Sequence, residues 1–524
     1  MRKSKVRTLS FLPKNISAFF KILEKNPKDL NANKAVGHYF ANTGEHDKSL
    51  KYFSAALLIQ QNAENYYNLG VALHQTKKID DALVMYDECI NLDSSFAEAY
   101  SNRGAIYRDK HNFKEALKNY LKAIELKPAK LDEYLNFSIV LFNLNKFQDA
   151  LEICNHAISK GGISERRLLL KYEILFILGK LDEAKDCLEI LSRSYPESSK
   201  VLWAIACNDL IQGDFHKGWE RYESRWRADL GIKEYKFDKP KWLGNFSING
   251  LTLLVHAEQG LGDTIHFCRY LNELRQHNAK IIFLVQAPLF ELLKNINGVH
   301  QLIPMGSDEQ LPEFDAHIPL LSLPLALKTE IHNIPSRIPY IFSNCEKSRS
   351  WHDKFIQLKL TGFKVGLVWN GGFRPELPNE HARNERRNIS VDLFKCFKGL
   401  NALFFSLQKG EPSETEFRIK MQDWDGPKIF NFMHEVNNFT DTAAIIDQLD
   451  LVISVDTSTA HLAGAMGKKV WLLNRVDSCW RWIVNRTDSP WYPTMKIYQQ
   501  QKTCEWNDVI QIVRDDLIKL INGF

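Results

Sequence analysis

The sequence predicts an α-solenoid of stacked helix pairs, followed by an α/β region built as two parallel-sheet lobes. Three observations predict it. The first half repeats itself every 34 residues. Near residues 227–250 the apolar pattern changes from helical spacing to short strand-like runs. At 524 residues the chain is too long for one ordinary core.

The repeat is visible by self-comparison. Tyr66, Tyr100 and Tyr134 are equivalent, as are Gly70, Gly104 and Ser138; Ala82, Ala116 and Ala150; and Tyr86, Tyr120 and Cys154. An earlier copy holds Gly37, Ser49, Phe53 and Ala56, and a later one Ala184, Leu188 and Pro196. A degenerate last copy places Gly218, Trp219 and Tyr222 on its second helix, so the solenoid is expected over residues 15–228. This is the tetratricopeptide pattern, in which large residues of helix A are expected beside small ones where helices A and B cross. Asn68, Asn102 and Asn136 share one place in three copies. Either they form an amide column that grips a peptide backbone in the groove, or asparagine is simply common there.

Beyond residue 250 the runs LTLLVH (251–256), KIIFLV (280–285) and AHIPLL (316–321) read as strands of a first lobe. VGLVWN (365–370), ALFFSLQ (402–408), KIFNFM (428–433), LVISVD (451–456) and KVWLL (469–473) read as strands of a second. Helical segments such as 441–449 lie between them, which implies parallel sheets with ligands at the strands' carboxyl ends. The stretch 334–350 reads as the joint. The boundaries are 245–345 for one Rossmann-like lobe and 360–500 for the other, with a terminal helix over 505–524.

Composition excludes several classes of function. Lys and Arg exceed Asp and Glu by 68 to 63, a net charge of +5, and no basic block stands out, so nucleic-acid binding is not expected. The nine cysteines form no C-x-x-C pair, which leaves zinc ribbons and dithiol redox chemistry without their signature. Scattered thiols fit a reducing cytoplasm. The basic stretch MRKSKVRTLSFLPKN lacks the apolar core of a signal peptide, and no run is long enough for a transmembrane helix. A soluble protein is expected.

Candidate chemistry lies at three strand ends. In His256-Ala257-Glu258-Gln259-Gly260-Leu261-Gly262-Asp263, two glycines permit close backbone approach to a ligand. Asp263 either faces that ligand or caps the helix that begins there. It is not a dinucleotide fingerprint, because Ile265 stands where the third glycine belongs. In Val455-Asp456-Thr457-Ser458-Thr459-Ala460-His461, small hydroxyl residues open a helix, a setting that favours phosphate. Asp456 suits ribose or sugar hydroxyls, and His461 either contacts the site or packs in the first turn. Lys409, in Ser406-Leu407-Gln408-Lys409-Gly410, either neutralises a diphosphate or is merely solvated. The stretch 371–388, with His381, Arg383, Arg386, Arg387 and Asn388, is either a phosphate or acceptor lid or a solvated basic loop. Asp423-Trp424-Asp425 has the spacing of a metal motif but lies in a polar loop ahead of a strand, and no metal is expected there.

The segments EQGLGDTIHFCRYL, GLVWNGG, FFSLQKG, FTDTAAIIDQLDLVISVDTSTAHLAGAMGKKVWLL and RWIVNRTDSPWYPTMKIY together resemble bacterial tetratricopeptide-linked glycosyltransferases. Their catalytic half is similar to the ADP-heptose:lipopolysaccharide heptosyltransferases, a metal-independent, inverting family of the GT-B fold. The arrangement also resembles protein O-GlcNAc transferase. The resemblance implies a nucleotide-sugar co-substrate and no metal or other cofactor. It makes 245–345 the acceptor lobe and 360–500 the donor lobe, and it returns the terminal helix near the hinge. It implies Asp263 as general base, and Gly260 and Gly262 as a loop under the substrate. Lys409 would lie on the donor diphosphate, and Asp456, Thr457, Ser458, Thr459 and His461 would line the donor pocket. Ser458 stands where heptosyltransferases often carry Gly, so the sugar does not transfer with the fold. The expected acceptor is a protein or peptide held by the repeats; the alternatives are a glycan or lipopolysaccharide-type acceptor, or a non-catalytic scaffold with a degenerate transferase region. A homo-oligomer remains open.

Overall fold

The computed structural model describes residues 14–232, 234–307, 310–373 and 378–523. The basic N-terminal stretch, apart from its last two residues, and residues 374–377 of the expected lid lie outside them. Contacts divide the chain into two compact units, Met1–Ile174 and Leu175–Phe524.

The first unit is a series of antiparallel helix pairs, including Leu30–Asn42 with His46–Ile59, Ala63–Gln75 with Ile79–Leu92, Ala97–Asp109 with Phe113–Leu126, and Leu131–Asn143 with Phe147–Gly161. Side-chain caps start several of them: Asp29 accepts from Ala32 N at 2.8 Å and Asn62 from Asn65 N at 2.9 Å. Where helices A and B cross, the size pattern is the reverse of the expected one. The small residue is on helix A and the ring on helix B: a Cβ on Gly37 would lie 2.6 Å from Phe53 Cε1, and one on Gly70 would lie 2.8 Å from Tyr86 Cε1. In the fourth pair Ser138 takes the glycine's place and donates to Ala150 O at 2.7 Å. Phe53, Tyr86 and Tyr120 are buried, each against the glycine of its own pair.

Each A-to-B turn has a residue with positive φ: Gly44, Lys77, His111, Asn145, Gly179 and Gly213. From Lys77 onward the spacing is 34 throughout, and it continues into the second unit. The repeat pattern thus runs past Ile174, while the compact body changes at Leu175. Phe215, Trp219 and Tyr222 share a core with the α/β region. Trp219 stands edge-on to Trp480 at 5.2 Å, and Val484 N donates to Ile211 O at 2.9 Å. The last copies of the solenoid therefore belong physically to the second unit.

That unit holds two sheets, every adjacent strand pair of which is parallel. The first has the order β3-β2-β1-β4, with β1 Thr252–His256, β2 Lys280–Val285, β3 Gln301–Pro304 and β4 Ala316–Pro319. The second has the order β10-β9-β8-β5-β6-β7, with β5 Phe363–Val368, β6 Ala402–Ser406, β7 Ile429–Asn431, β8 Leu451–Val455, β9 Lys469–Asn474 and β10 Met495–Gln499. The central strands β1 and β8 are apolar and buried, as a parallel sheet covered on both faces requires. The expected single helix after β1 is broken into Leu261–Phe267, Tyr270–Glu273 and a short turn. The stretch expected as the joint touches the helices after β1 and β8: Tyr340 N donates to Ala465 O, and its hydroxyl to Ile265 O, each at 2.9 Å. The terminal helix Asn507–Asn522 buries Val509, Ile510, Val513 and Leu517 in the core of the second sheet, and Arg514 reaches Cys396 O at 2.9 Å.

Two substitutions test the repeat geometry. Gly70→Val drives a branched side chain into Tyr86 and should cost about 2 kcal/mol. Lys77→Gly relieves a left-handed L-residue at φ 65° and should add about 1 kcal/mol. Urea titration of the two variants beside the parent reads both, and opposite signs are expected.

Candidate functional site

The chain leaves β1 through Ala257-Glu258-Gln259, and Gln259 takes a φ of 59° to turn it into the helix Leu261–Phe267. Gly260 is the N-cap and Asp263 the third residue of the helix, so Asp263 is not itself the N-cap. Its Oδ2 accepts from Gly260 N at 2.8 Å, the returning half of a capping box. His256 and Glu258, the other ionisable groups of the motif, are engaged elsewhere. The buried His256 lies 3.3 Å from His317 Nδ1. Glu258 takes a bidentate bond from the buried Arg225 at 2.8 and 3.0 Å.

β8 delivers Asp456 and then Thr457, which caps the helix Ser458–Ala465 by accepting from Ala460 N. Ser454 Oγ lies 3.0 Å from Thr457 Oγ1, so a buried strand hydroxyl fixes the cap. His461 is buried, stacks on Trp482 and lies 3.0 Å from Tyr492 OH. Burial drives its imidazole down to about 3 against the pull of Asp456, so it is neutral at physiological pH. Its 3.8 Å approach to Asp456 is therefore not an ion pair. Burial raises the Asp456 carboxyl, but the Arg387 and Arg475 charges oppose it and the group lies below the usual range; a neutral His461 adds no charge at physiological pH. Thr459 is half-buried beside them.

These two strand ends meet. A Cβ on Gly262 would lie 3.1 Å from His461 Cδ2 and 3.3 Å from Ser458 Cα. Gly262 thus serves the approach of two helices from different sheets, where close approach to a ligand was expected. Arg481, from the turn Trp480–Trp482 that follows β9, pairs with Asp263 Oδ1. Burial would discharge this guanidinium, but Asp263 leads the neighbours that keep it charged. Behind the pair, His266 Nδ1 lies 3.4 Å from His461 Nδ1. The buried Arg269 bonds Trp491 O and, at 2.9 Å, Tyr340 OH.

Lys409 is not in this cluster. It follows β6, two strands from β8 and so roughly 10 Å along the same edge. It is exposed, and its ammonium donates to Met433 O at 2.8 Å. Residues 378–387 of the expected lid form a helix instead of a loop. Arg386 pairs with the buried Asp477 at 3.1 Å. Arg387 lies across Gly371, where a Cβ would fall 1.7 Å from its Nη2, and donates to Asp456 O at 2.8 Å. Arg481, His266 and Tyr492 were missed from the sequence. The signal for Arg481 was its place between two Trp, and for His266 its place inside the glycine-motif helix. Asp425 is exposed and pairs with Lys395 at 3.0 Å, a surface contact.

In the first unit the three asparagines share a repeat position but not an environment. Asn68 is buried, and its Nδ2 has no partner among the described residues. Asn102 donates to Tyr67 OH and Asn136 accepts from Arg166, each at 3.3 Å. No helix among the described residues is long and apolar enough to cross a membrane.

Residues 63–96 and 97–129 match family descriptions of the tetratricopeptide repeat, so this part of the chain consists of such repeats. Protein FlbA of Caulobacter vibrioides is 25% identical over 357 residues, covering 63% of this chain. The chain spans 57% of that relative's length. Among solved structures it is similar to MamA (22% identity, 30% of this chain, 94% of that one, TM-score 0.27). It is also similar to PilF of Pseudomonas aeruginosa (16%, 38%, 92%, 0.35) and to YrrB, described as a TPR protein with an unusual peptide-binding site (23%, 34%, 93%, 0.29).

The Asp263–Arg481 pair sets a stability test. Asp263→Asn leaves a buried guanidinium without its carboxylate and should lower unfolding free energy by about 3 kcal/mol. Guanidinium-chloride denaturation measures it, and an unchanged midpoint would mean the pair is not formed in solution.

Proposed function

We propose that the chain is an inverting, metal-independent glycosyltransferase of GT-B architecture, moving a sugar from a nucleotide-sugar donor to a hydroxyl of a protein or peptide. The observation that carries this reading is the meeting of Gly262, next to Asp263 and after β1 of one parallel sheet, with the helix start Ser458–Ala465 after β8 of the other. Ligands of parallel sheets gather at such carboxyl ends. In the reaction the acceptor oxygen attacks the anomeric carbon while the bond to the diphosphate breaks, and Asp263 takes the hydroxyl proton late in the step. Ser458 and its neighbours would hold the diphosphate at the positive helix end, with Lys409 adding charge along the edge and Asp456 contacting hydroxyls. The repeats would hold the acceptor, since tetratricopeptide repeats bind peptides or proteins.

A second reading has its own observation. The Asp263 carboxylate is engaged by Arg481 and Gly260 N, as it would be in a non-catalytic scaffold with a degenerate transferase region. Transfer assays separate the two.

With a nucleotide sugar that the protein turns over, turnover should persist in excess EDTA, because helix ends and lysine replace the metal's charge. Lys409→Ala should weaken donor binding by roughly tenfold in calorimetry. Turnover abolished by EDTA and restored by magnesium would reject the metal-independent mechanism.

Changing Asn68, Asn102 and Asn136 together to Ala should slow transfer to a protein acceptor and spare donor hydrolysis, since every donor-pocket residue comes from the second unit. Peptide mass spectrometry for transfer and released nucleotide for hydrolysis give the two rates. Equal loss in both would point to a damaged fold.

A further inference from the structure

Arg481 is a buried cation with too few strong acceptors. It is 8% exposed, covered by the Trp480 ring at 4.2 Å and bordered by Phe267. Its Nη2 bonds Asp263, its Nη1 has only the Cys479 sulfur at 2.9 Å, and its Nε has no partner among the described residues. A planar guanidinium is built to grip two oxygens of one oxyanion, and a single carboxylate oxygen leaves that capacity unused. The same loop also covers a second anion-binding element. A Cβ on Gly262 would lie 3.6 Å from Ser458 N, at the start of the helix Ser458–Ala465. The Asp263 loop thus lies against both groups that would receive a diphosphate.

We propose that the Asp263 carboxylate occupies, in the ligand-free protein, the place of a phosphate group on Arg481, and that the diphosphate of an incoming nucleotide sugar displaces it. Arg481 is then a donor-binding residue, and its transfer to the diphosphate frees the Asp263 carboxylate. The base is masked until the donor is bound. This rests on the transferase reading for the role of Asp263, but the exchange itself is a statement about anion binding and is testable without turnover.

The probe is inorganic pyrophosphate, titrated by calorimetry into the full-length protein and into Arg481→Gln, Asp263→Asn and the double variant. Arg481→Gln should weaken pyrophosphate binding by roughly tenfold or more, the scale of a lost charge-assisted bidentate contact. Asp263→Asn should tighten it, because the internal competitor is gone. Removing a negative charge also relieves plain repulsion, so the double-mutant cycle decides. Competition for Arg481 predicts a gain from Asp263→Asn that is several-fold larger with Arg481 present than in the Arg481→Gln background. Equal gains in both backgrounds overturn the exchange, and so does an unchanged affinity in Arg481→Gln. Should Asp263→Asn fail to fold, Asp263→Ser, whose hydroxyl can still accept from Gly260 N, asks the same question. The two proposals fail separately. The expected cycle in a protein that transfers no sugar keeps the exchange and rejects the transferase, whereas turnover with a flat cycle does the reverse.

Discussion

The second unit depends on how closely two helix starts can approach. Each parallel sheet sends a helix from the end of a central strand, and the two starts touch at Gly262 and Ser458. A Cβ at 262 would press on the His461 ring and Ser458 Cα at 3.1 and 3.3 Å, and the ion pair between Asp263 and Arg481 closes the contact beside it. A pair this dry is a poor source of net stability, since desolvation offsets most of its attraction. Its effect is positional, because it fixes the glycine-motif helix after β1 against the turn that follows β9.

Other buried cations behave in the same way. Arg269 faces carbonyls, Tyr340 and the Tyr492 ring, and so ties the glycine-motif helix to the joint and to the segment before β10. Arg225 binds Glu258, Glu223 and Ser322, and so ties the end of the last repeat helix pair to the first sheet. In each case a guanidinium bridges elements far apart in sequence, using its fixed fork of donors where a lysine would supply one point charge.

Legibility in the sequence followed burial and locality. Central strands were readable because burial on both faces writes a continuous apolar run, as in Leu451–Val455. β3 and β10 were missed because they are edge strands whose apolar and polar residues are mixed. The repeat was readable because its constraint recurs, although which helix carries the small residue depends on packing that spacing does not encode. In the candidate site, Asp263, Asp456 and His461 were found through local motifs, and the structure brings them together. Arg481 was missed because its partner lies 218 residues away. Lys409 was read as a neighbour of the others because one-dimensional motifs carry no strand order, and β5 lies between β6 and β8.

The left-handed turn at Gly213 and the burial of Phe215, Trp219 and Tyr222 bear on how separable the two halves are. By sequence the boundary is near residue 228, and an excision there would look clean. Physically it would strip an aromatic face from Phe267, Trp480 and Trp491 and leave Glu258 buried without Arg225. The helices from Leu175 onward travel with the α/β body. Shuffling whole repeats, whether by recombination or by engineering, is therefore tolerable only upstream of that point, and the last copies have exchanged modularity for a place in the core.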